Sequence, residues 1–184
     1  LGRYFVEHGQ DTGGAEGAHD GQESSLCVKG YYSRSSMSAK DAARFTHSKE
    51  YETIRDLTDE CDIIFLTVPD GSIRETWEQV REYDINGKTI CHCSGAMSSA
   101  DAFDGIGETG AFGYSIHPLF AVSDKYNAYR ELTGVFFTLE GGRDGEHSRQ
   151  FTELRKRLEL VGNPTSIING DDKTTYHCAA AIAS

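Results

Sequence analysis

Ser94, His117, Lys173 and His177 are residue types that move or orient protons, and each stands where a run of regular structure begins or ends. Lys173 and His177 are four apart, so on a helix they share a face. A lysine so placed can donate a proton or hydrogen bond to an atom on which charge develops, and a partner one turn away can fix it or hold the substrate. Thr89-Ile90-Cys91-His92-Cys93 leads into Ser94-Gly95-Ala96, and Phe112-Gly113-Tyr114-Ser115-Ile116 leads into His117-Pro118. Ligands of open α/β sheets lie outside the carboxyl ends of the strands. A bare turn would explain Ser94-Gly95, a histidine satisfied beside a proline would explain His117, and a solvent-facing helix start would explain Lys173. Two polar strand ends and a lysine–histidine pair in one chain instead predict a site.

Two further stretches suit a nucleotide. Ser33-Arg34-Ser35 ends a strand candidate. An acidic residue there would bind a ribose 2′-hydroxyl and select NAD, whereas arginine flanked by hydroxyls suits a 2′-phosphate and selects NADP over NAD. Val68-Pro69-Asp70 ends the most apolar run, and its proline offers a flat edge for a ribose or nicotinamide. A solvated loop and an ordinary strand-to-helix turn are the plain alternatives. Cys91-His92-Cys93 invites a metal reading, but on a strand the cysteines face one way and the histidine the other, and no second ligand pair follows.

These residues need a scaffold of alternating strands and helices. Residues 1–8 read as the end of a helix stopped by Gly9, and residues 10–24 as a polar, glycine-rich flexible insertion. A strand is expected over 26–32, then a helix over 39–45 capped by Ser38. The next helix places Tyr51, Ile54, Leu57 and Cys61 on one stripe. Residues 63–68 form a continuous apolar run suited to a strand covered on both faces. Ile73, Trp77 and Val80 mark a helix, 89–93 a strand, 98–106 a helix and 111–116 a strand. Residues 135–139 read as a strand, followed by a helix carrying Phe151, Leu154, Leu158 and Val161. A short strand over 165–168 precedes Asp171-Asp172, which suit the start of a last helix. The alternation predicts an α/β fold with a doubly wound, mainly parallel sheet.

Composition narrows the classes. A chain of 184 residues is large enough for one domain with a real core, to which nine Phe and nine Tyr contribute bulk. Eighteen basic against 29 acidic residues give a net charge of −11, which disfavours nucleic acid and anionic membranes as partners. Five cysteines without framework spacing suit reduced thiols in the cytoplasm. No apolar run approaches membrane-spanning length, and the start is no signal peptide. Both ends read as cut within helices, so a fragment of a longer protein is expected.

Ser33-Arg34-Ser35, Val68-Pro69-Asp70, His92-Cys93-Ser94-Gly95-Ala96, His117-Pro118-Leu119 and Asp172-Lys173-x-x-Tyr176-His177-x-Ala179-Ala180 occur in this order. In this the chain resembles the Rossmann-like NAD(P)-dependent oxidoreductases that carry a helical C-terminal domain of unknown function. That group is similar to β-hydroxyacid dehydrogenases, ketopantoate reductases, pyrroline-carboxylate reductases and deazaflavin-dependent NADP reductases. The resemblance implies a nucleotide-binding domain over residues 1–169, lacking its first strand and glycine-rich loop. Residues 170–184 would begin an all-α domain, missing here, that completes the active site and a homodimer. It implies hydride transfer between NADP(H) and a small oxo, hydroxy or imino compound. Lys173, Ser94, His177 and His117 would be catalytic; Ser33, Arg34, Ser35, Val68, Pro69, Asp70, Ser94 and Gly95 would bind the cofactor. Ser94 matches the relatives' serine and Lys173 their lysine, while His177 stands where they have asparagine. A non-catalytic dinucleotide-binding sensor is the alternative.

Overall fold

The computed structural model describes residues 1–9, 26–122, 124, 126–141 and 146–183. The expected insertion at 10–24 lies outside them. Helix α1 is Gly2–His8, followed by β1 (Gly30–Tyr31), α2 (Ser36–Thr46), β2 (Lys49–Glu50), α3 (Ile54–Glu60) and β3 (Ile63–Leu66). Then come α4 (Asp70–Val80), β4 (Thr89–His92), α5 (Ser99–Ala102), α6 (Ile106–Thr109) and β5 (Phe112–Pro118). A 3₁₀ turn at Ala128–Glu131 leads to β6 (Phe137–Glu140), α7 (Arg149–Leu160), β7 (Thr165–Ile167), a second 3₁₀ turn at Gly170–Asp172 and α8 (Lys173–Ala183).

The strands form two sheets. Five are ordered β3-β4-β5-β6-β7, all parallel except the β5–β6 pair, and β1 and β2 form a separate parallel pair. Period-2 alternation sends neighbouring side chains to opposite faces. Ile64, Leu66 and Ile90 therefore join Ile73, Trp77, Val80 and Phe103 on one face, beneath α4 and α5. Cys91, Tyr114, Ile116, Phe137 and Leu139 join Tyr4, Phe5, Phe151, Leu154 and Leu158 on the other, beneath α1 and α7. The run at β3 is thus covered on both faces, as its continuous apolarity predicts, and the fold is doubly wound. No helix among the described residues is long and apolar enough to cross a membrane.

Several boundaries differ from expectation. Only Gly30 and Tyr31 of the run over 26–32 pair as a strand, because their partner is the two-residue, charged Lys49–Glu50, which carries no apolar signal. Helix α2 begins at Ser36, and Ser38 donates its N–H to the Ser35 carbonyl at 3.0 Å from inside the first turn rather than capping it. The helix expected over 98–106 is two short ones. The first ends at Ala102 with Phe103 as its C-cap, and Gly105, at a left-handed φ of 72° that costs glycine little, is the residue from which the second starts. Strand β5 runs on through His117 and Pro118, because β6 is antiparallel and pairs Thr138 with His117 and Phe137 with Pro118. Tyr51 and Cys61 flank α3 instead of lying in it, yet both are buried with Ile54.

Candidate functional site

Ser94 follows β4 and is the hub of the polar cluster. Its N–H donates to His92 Nδ1 at 3.2 Å, and its hydroxyl donates to Asp70 Oδ2 at 2.6 Å. The same oxygen lies within hydrogen-bond distance of the N–H groups of Ala96 and Met97, at 3.3 and 3.1 Å. Its carbonyl accepts from Lys173 Nζ at 2.8 Å and from Ser115 Oγ at 3.3 Å. A bare turn does not account for a residue joined to α4, β5 and α8 at once.

Lys173 enters from the first turn of α8. Asn169 caps the preceding 3₁₀ turn by accepting from the Asp171 N–H at 3.1 Å. That turn packs so closely that a Cβ on Gly170 would lie 3.2 Å from Glu140 Oε1. The lysine is only 2% exposed, and its amine donates to the Ser94 carbonyl and the Ser115 hydroxyl. Both acceptors are neutral, so a third hydrogen has no acceptor among the described residues. Burial lowers its pKa to about 8, against the pull of the Glu140 and Asp70 carboxylates. Glu140, 1% exposed, is held by the Ser99 N–H at 2.6 Å and the Ser99 hydroxyl at 3.0 Å.

Two histidines border this pocket. His117 Nδ1 donates to the Cys93 carbonyl at 3.1 Å, which leaves Nε2 with its lone pair in the neutral ring. Burial, despite that hydrogen bond, lowers the His117 pKa. The His177 ring, exposed on α8, is centred 6.0 Å from it. Gly95 lies beneath both, for a Cβ there would come within 2.4 Å of His177 Nδ1 and 3.0 Å of His117 Nε2. Tyr176 turns edge-on to His117 at 5.9 Å and accepts from the Thr138 hydroxyl at 2.6 Å, tying α8 to β6. The metal-like triplet splits as its strand position requires. Cys91 joins the core on one face, and His92 packs on the Phe103 ring at 5.3 Å on the other. Burial, reinforced by the Lys173 charge, lowers the His92 pKa to about 4, and burial pushes the Cys93 thiol up to about 11. A neutral imidazole and a protonated thiol at pH 7 leave no thiolate nucleophile here.

The structure therefore gathers Ser94, Gly95, His117, Lys173, His177 and Asp70. Ser33, Arg34 and Ser35 do not touch this group. They lie past the end of β1, where Ser35 precedes α2 and Arg34 Nη1 stands 3.7 Å from Glu75 Oε1 in an exposed pair. Val68 is half-buried against the core, and Pro69 is exposed immediately before α4. Sequence reasoning missed Ser115, Glu140, Thr138 and the role of Tyr176. Ser115 sits two residues before His117 on one strand, hence on its face. Glu140 is a charged residue closing an apolar run, a signal that was available.

The lowered pKa has a consequence for stability. An unfolded lysine titrates near 10.5 and the folded Lys173 near 8. The unfolded chain thus binds more protons between these values, and stability rises with pH across that window. Below it, the buried ammonium costs on the order of 3 kcal/mol. Lys173→Met is expected to raise the urea midpoint at pH 7 and to remove the rise between pH 8 and 10.5. An unchanged or lower midpoint at pH 7 contradicts this electrostatic account.

The chain matches the Rossmann-like domain family over residues 14–118, more than half its length. No curated protein matches it. Among solved structures it is similar to a protein of Thermotoga maritima at 26% identity and a TM-score of 0.59, over 83% of this chain and 54% of that one. It is similar in fold to Synechocystis arogenate dehydrogenase, at 17% identity, a TM-score of 0.62 and coverage of 76% and 50%. It is also similar in fold to a reductive aminase from Aspergillus terreus solved with NADPH and ethyl-5-oxohexanoate, at 11% identity, a TM-score of 0.56 and coverage of 83% and 50%. This chain spans about half the length of each. With a two-faced, mainly parallel sheet and a match over most of its strands, the chain belongs to the Rossmann-like domain family.

Proposed function

We propose that this chain is the nucleotide-binding part of a cytoplasmic, NADP-dependent oxidoreductase. It transfers hydride between NADP(H) and a small oxo, hydroxy or imino compound. Residues 1–169 form the nucleotide domain, and residues 170–184 begin a helical domain that completes the site and a homodimer. The observation that carries this reading is the Lys173 ammonium. It is held by two neutral oxygens at the strand ends, with one hydrogen unclaimed and a pKa of about 8.

The residues present fit the cofactor in part. Arg34 is held by nothing stronger than an exposed pair with Glu75 at 3.7 Å. Such a pair is worth little, so the guanidinium is available to a 2′-phosphate. Ser33 and Ser35 stand beside it with further hydroxyl donors. Val68 and Pro69 offer an apolar surface, and Asp70 and Gly95 border the strand ends where a nicotinamide would lie. NADPH in the reductive aminase, which shares this fold, supports the same choice of cofactor.

When bound, the nicotinamide supplies or accepts the hydride. The protein's part is to orient the substrate and move a proton. Below about pH 8 Lys173 is mainly protonated and donates to a carbonyl oxygen or imine nitrogen as charge develops. Ser94 contributes chiefly as a positioning residue, since its carbonyl fixes the lysine and its hydroxyl is committed to Asp70. His117 presents its Nε2 lone pair to a substrate hydroxyl or water. His177, exposed one turn from Lys173, holds the far side of the substrate.

In the complete polypeptide, Lys173→Ala is expected to lower NADPH-dependent turnover of small oxo acids and imines by roughly 10²–10⁴-fold while NADPH affinity stays nearly intact. Unchanged turnover removes Lys173 from the mechanism. Tight NADPH binding without oxidation by any member of the panel makes the protein a sensor instead. Fluorescence titration is expected to favour NADPH over NADH in the parent and to lose that preference in Arg34→Asp. Equal parental affinities contradict the role given to residues 33–35.

A further inference from the structure

The pairing between β4 and β5 ends where His92 faces Ser115. Past that point the chain leaves the sheet, and no ladder sets the orientation of the Cys93–Ser94 peptide. Both of its polar groups are nonetheless held, each by an imidazole. The Ser94 N–H donates to His92 Nδ1 at 3.2 Å, and the Cys93 carbonyl accepts from His117 Nδ1 at 3.1 Å. Neither group has a backbone partner among the described residues. The peptide that follows is held differently, through the Ser94 carbonyl, by Lys173 Nζ at 2.8 Å and Ser115 Oγ at 3.3 Å.

A peptide unit has one donor and one acceptor, so this one fixes the roles of both rings. A carbonyl only accepts, so His117 carries its hydrogen on Nδ1 and keeps a lone pair on Nε2. An N–H only donates, so His92 keeps its lone pair on Nδ1 and carries its hydrogen on Nε2. The two histidines are thus opposite tautomers joined through one amide. Such a chain is cooperative, because donation by the N–H polarises the carbonyl of the same peptide toward the next donor. His92 suits the acceptor's part. It is fully buried, and chiefly for that reason its pKa falls to about 4, so the ring is neutral at pH 7. Its Nε2 gains little in return, with no partner at ordinary hydrogen-bond geometry and only a pull from the Ser98 backbone. A phenyl ring would fill the same space beside Phe103 at less cost, so the acceptor atom is what this position uses.

We propose that His92 is a positioning residue for His117: it locks the Cys93–Ser94 peptide, and so confines His117 to the tautomer that presents its Nε2 lone pair above Gly95. A Cβ on Gly95 would lie 3.0 Å from that nitrogen, which sets the lone pair at the strand ends. With the peptide free to turn, its carbonyl leaves Nδ1, and the ring carries its hydrogen on either nitrogen. A ring with its hydrogen on Nε2 is a donor there and takes no proton from a substrate hydroxyl. The inference rests on the place given to His117 in the proposed function, and it concerns which atom of that ring is basic and what fixes the choice.

Nitrogen NMR of the histidine rings in the complete, nucleotide-free polypeptide tests it, since protonated and bare ring nitrogens resonate far apart. Each ring is identified by the loss of its signals on substitution. In the parent protein at neutral pH or above, the neutral His117 ring is expected to carry its hydrogen on Nδ1 and His92 on Nε2. Two substitutions then separate the acceptor from the packing. His92→Asn discards the ring but sets Oδ1 where Nδ1 stands, and is expected to keep the His117 pattern. His92→Phe keeps a ring against Phe103 but removes the acceptor. It is expected to draw the two His117 signals toward averaged positions, the tautomer ratio changing by about fivefold or more. An unchanged His117 in His92→Phe, or a lost pattern in His92→Asn, overturns the proposal. So does a parent whose His117 carries its hydrogen on Nε2, a result that needs neither variant to fold. The spectra require no turnover. A protein that binds NADPH without oxidising it therefore refutes the proposed catalysis and leaves the tautomers as they are.

Discussion

The ammonium of Lys173 must be carried from a helix into a region where only neutral oxygens touch it, and much of the surrounding structure follows from that demand. A buried charge is tolerated when hydrogen bonds replace the lost water. Here the replacements are a carbonyl past the end of β4 and a hydroxyl on β5. Neither could be supplied by one strand alone. The parallel register that sets His92, the last residue of β4, opposite Ser115 within β5 lets Ser94 and Ser115 share one amine. Glu140 and Asp70 keep the ammonium from being lost altogether, without contacting it.

The antiparallel placement of β6 completes this arrangement. A parallel neighbour would have ended on the same side as β4 and β5. Running the other way, β6 continues the ladder through His117 and Pro118 and ends with Glu140 opposite Ser115. Its hydroxyl at Thr138 also reaches Tyr176, so α8 is anchored at two points a turn apart, by Lys173 in the first turn and Tyr176 in the next. His177 therefore has its position fixed by neighbours that are themselves fixed, although its own ring is exposed.

Much of this was legible in the chain. The alternation of apolar runs with 3.6-period stripes gave the doubly wound α/β fold, because burial on both sheet faces leaves that pattern in β3 and on α4 and α7. The spacing of Lys173 and His177 and the two polar strand ends pointed to residues that the structure assembles. What escaped detection depends on tertiary partners. Gly30–Tyr31 and Lys49–Glu50 are strands only because each pairs with the other, and neither has a pattern long enough to read. Ser115 looks like an ordinary strand residue until a lysine 58 positions away bonds to it. The hydroxyl of Ser94 suggested direct contact with a substrate; the structure assigns its hydrogen to Asp70 and gives the more telling role to its carbonyl. Arg34, read from position alone, remains apart from the lysine cluster, in an exposed pair with Glu75.

The central claim is that Lys173 is a buried ammonium whose proton is loosened by its surroundings. NMR of the lysine side chains across a pH titration measures this directly, with the Lys173 resonance identified by its loss in Lys173→Arg. The account predicts a midpoint near 8, well separated from the other lysines. A midpoint at the ordinary lysine value of 10.5 would show the amine to be solvated and would contradict it.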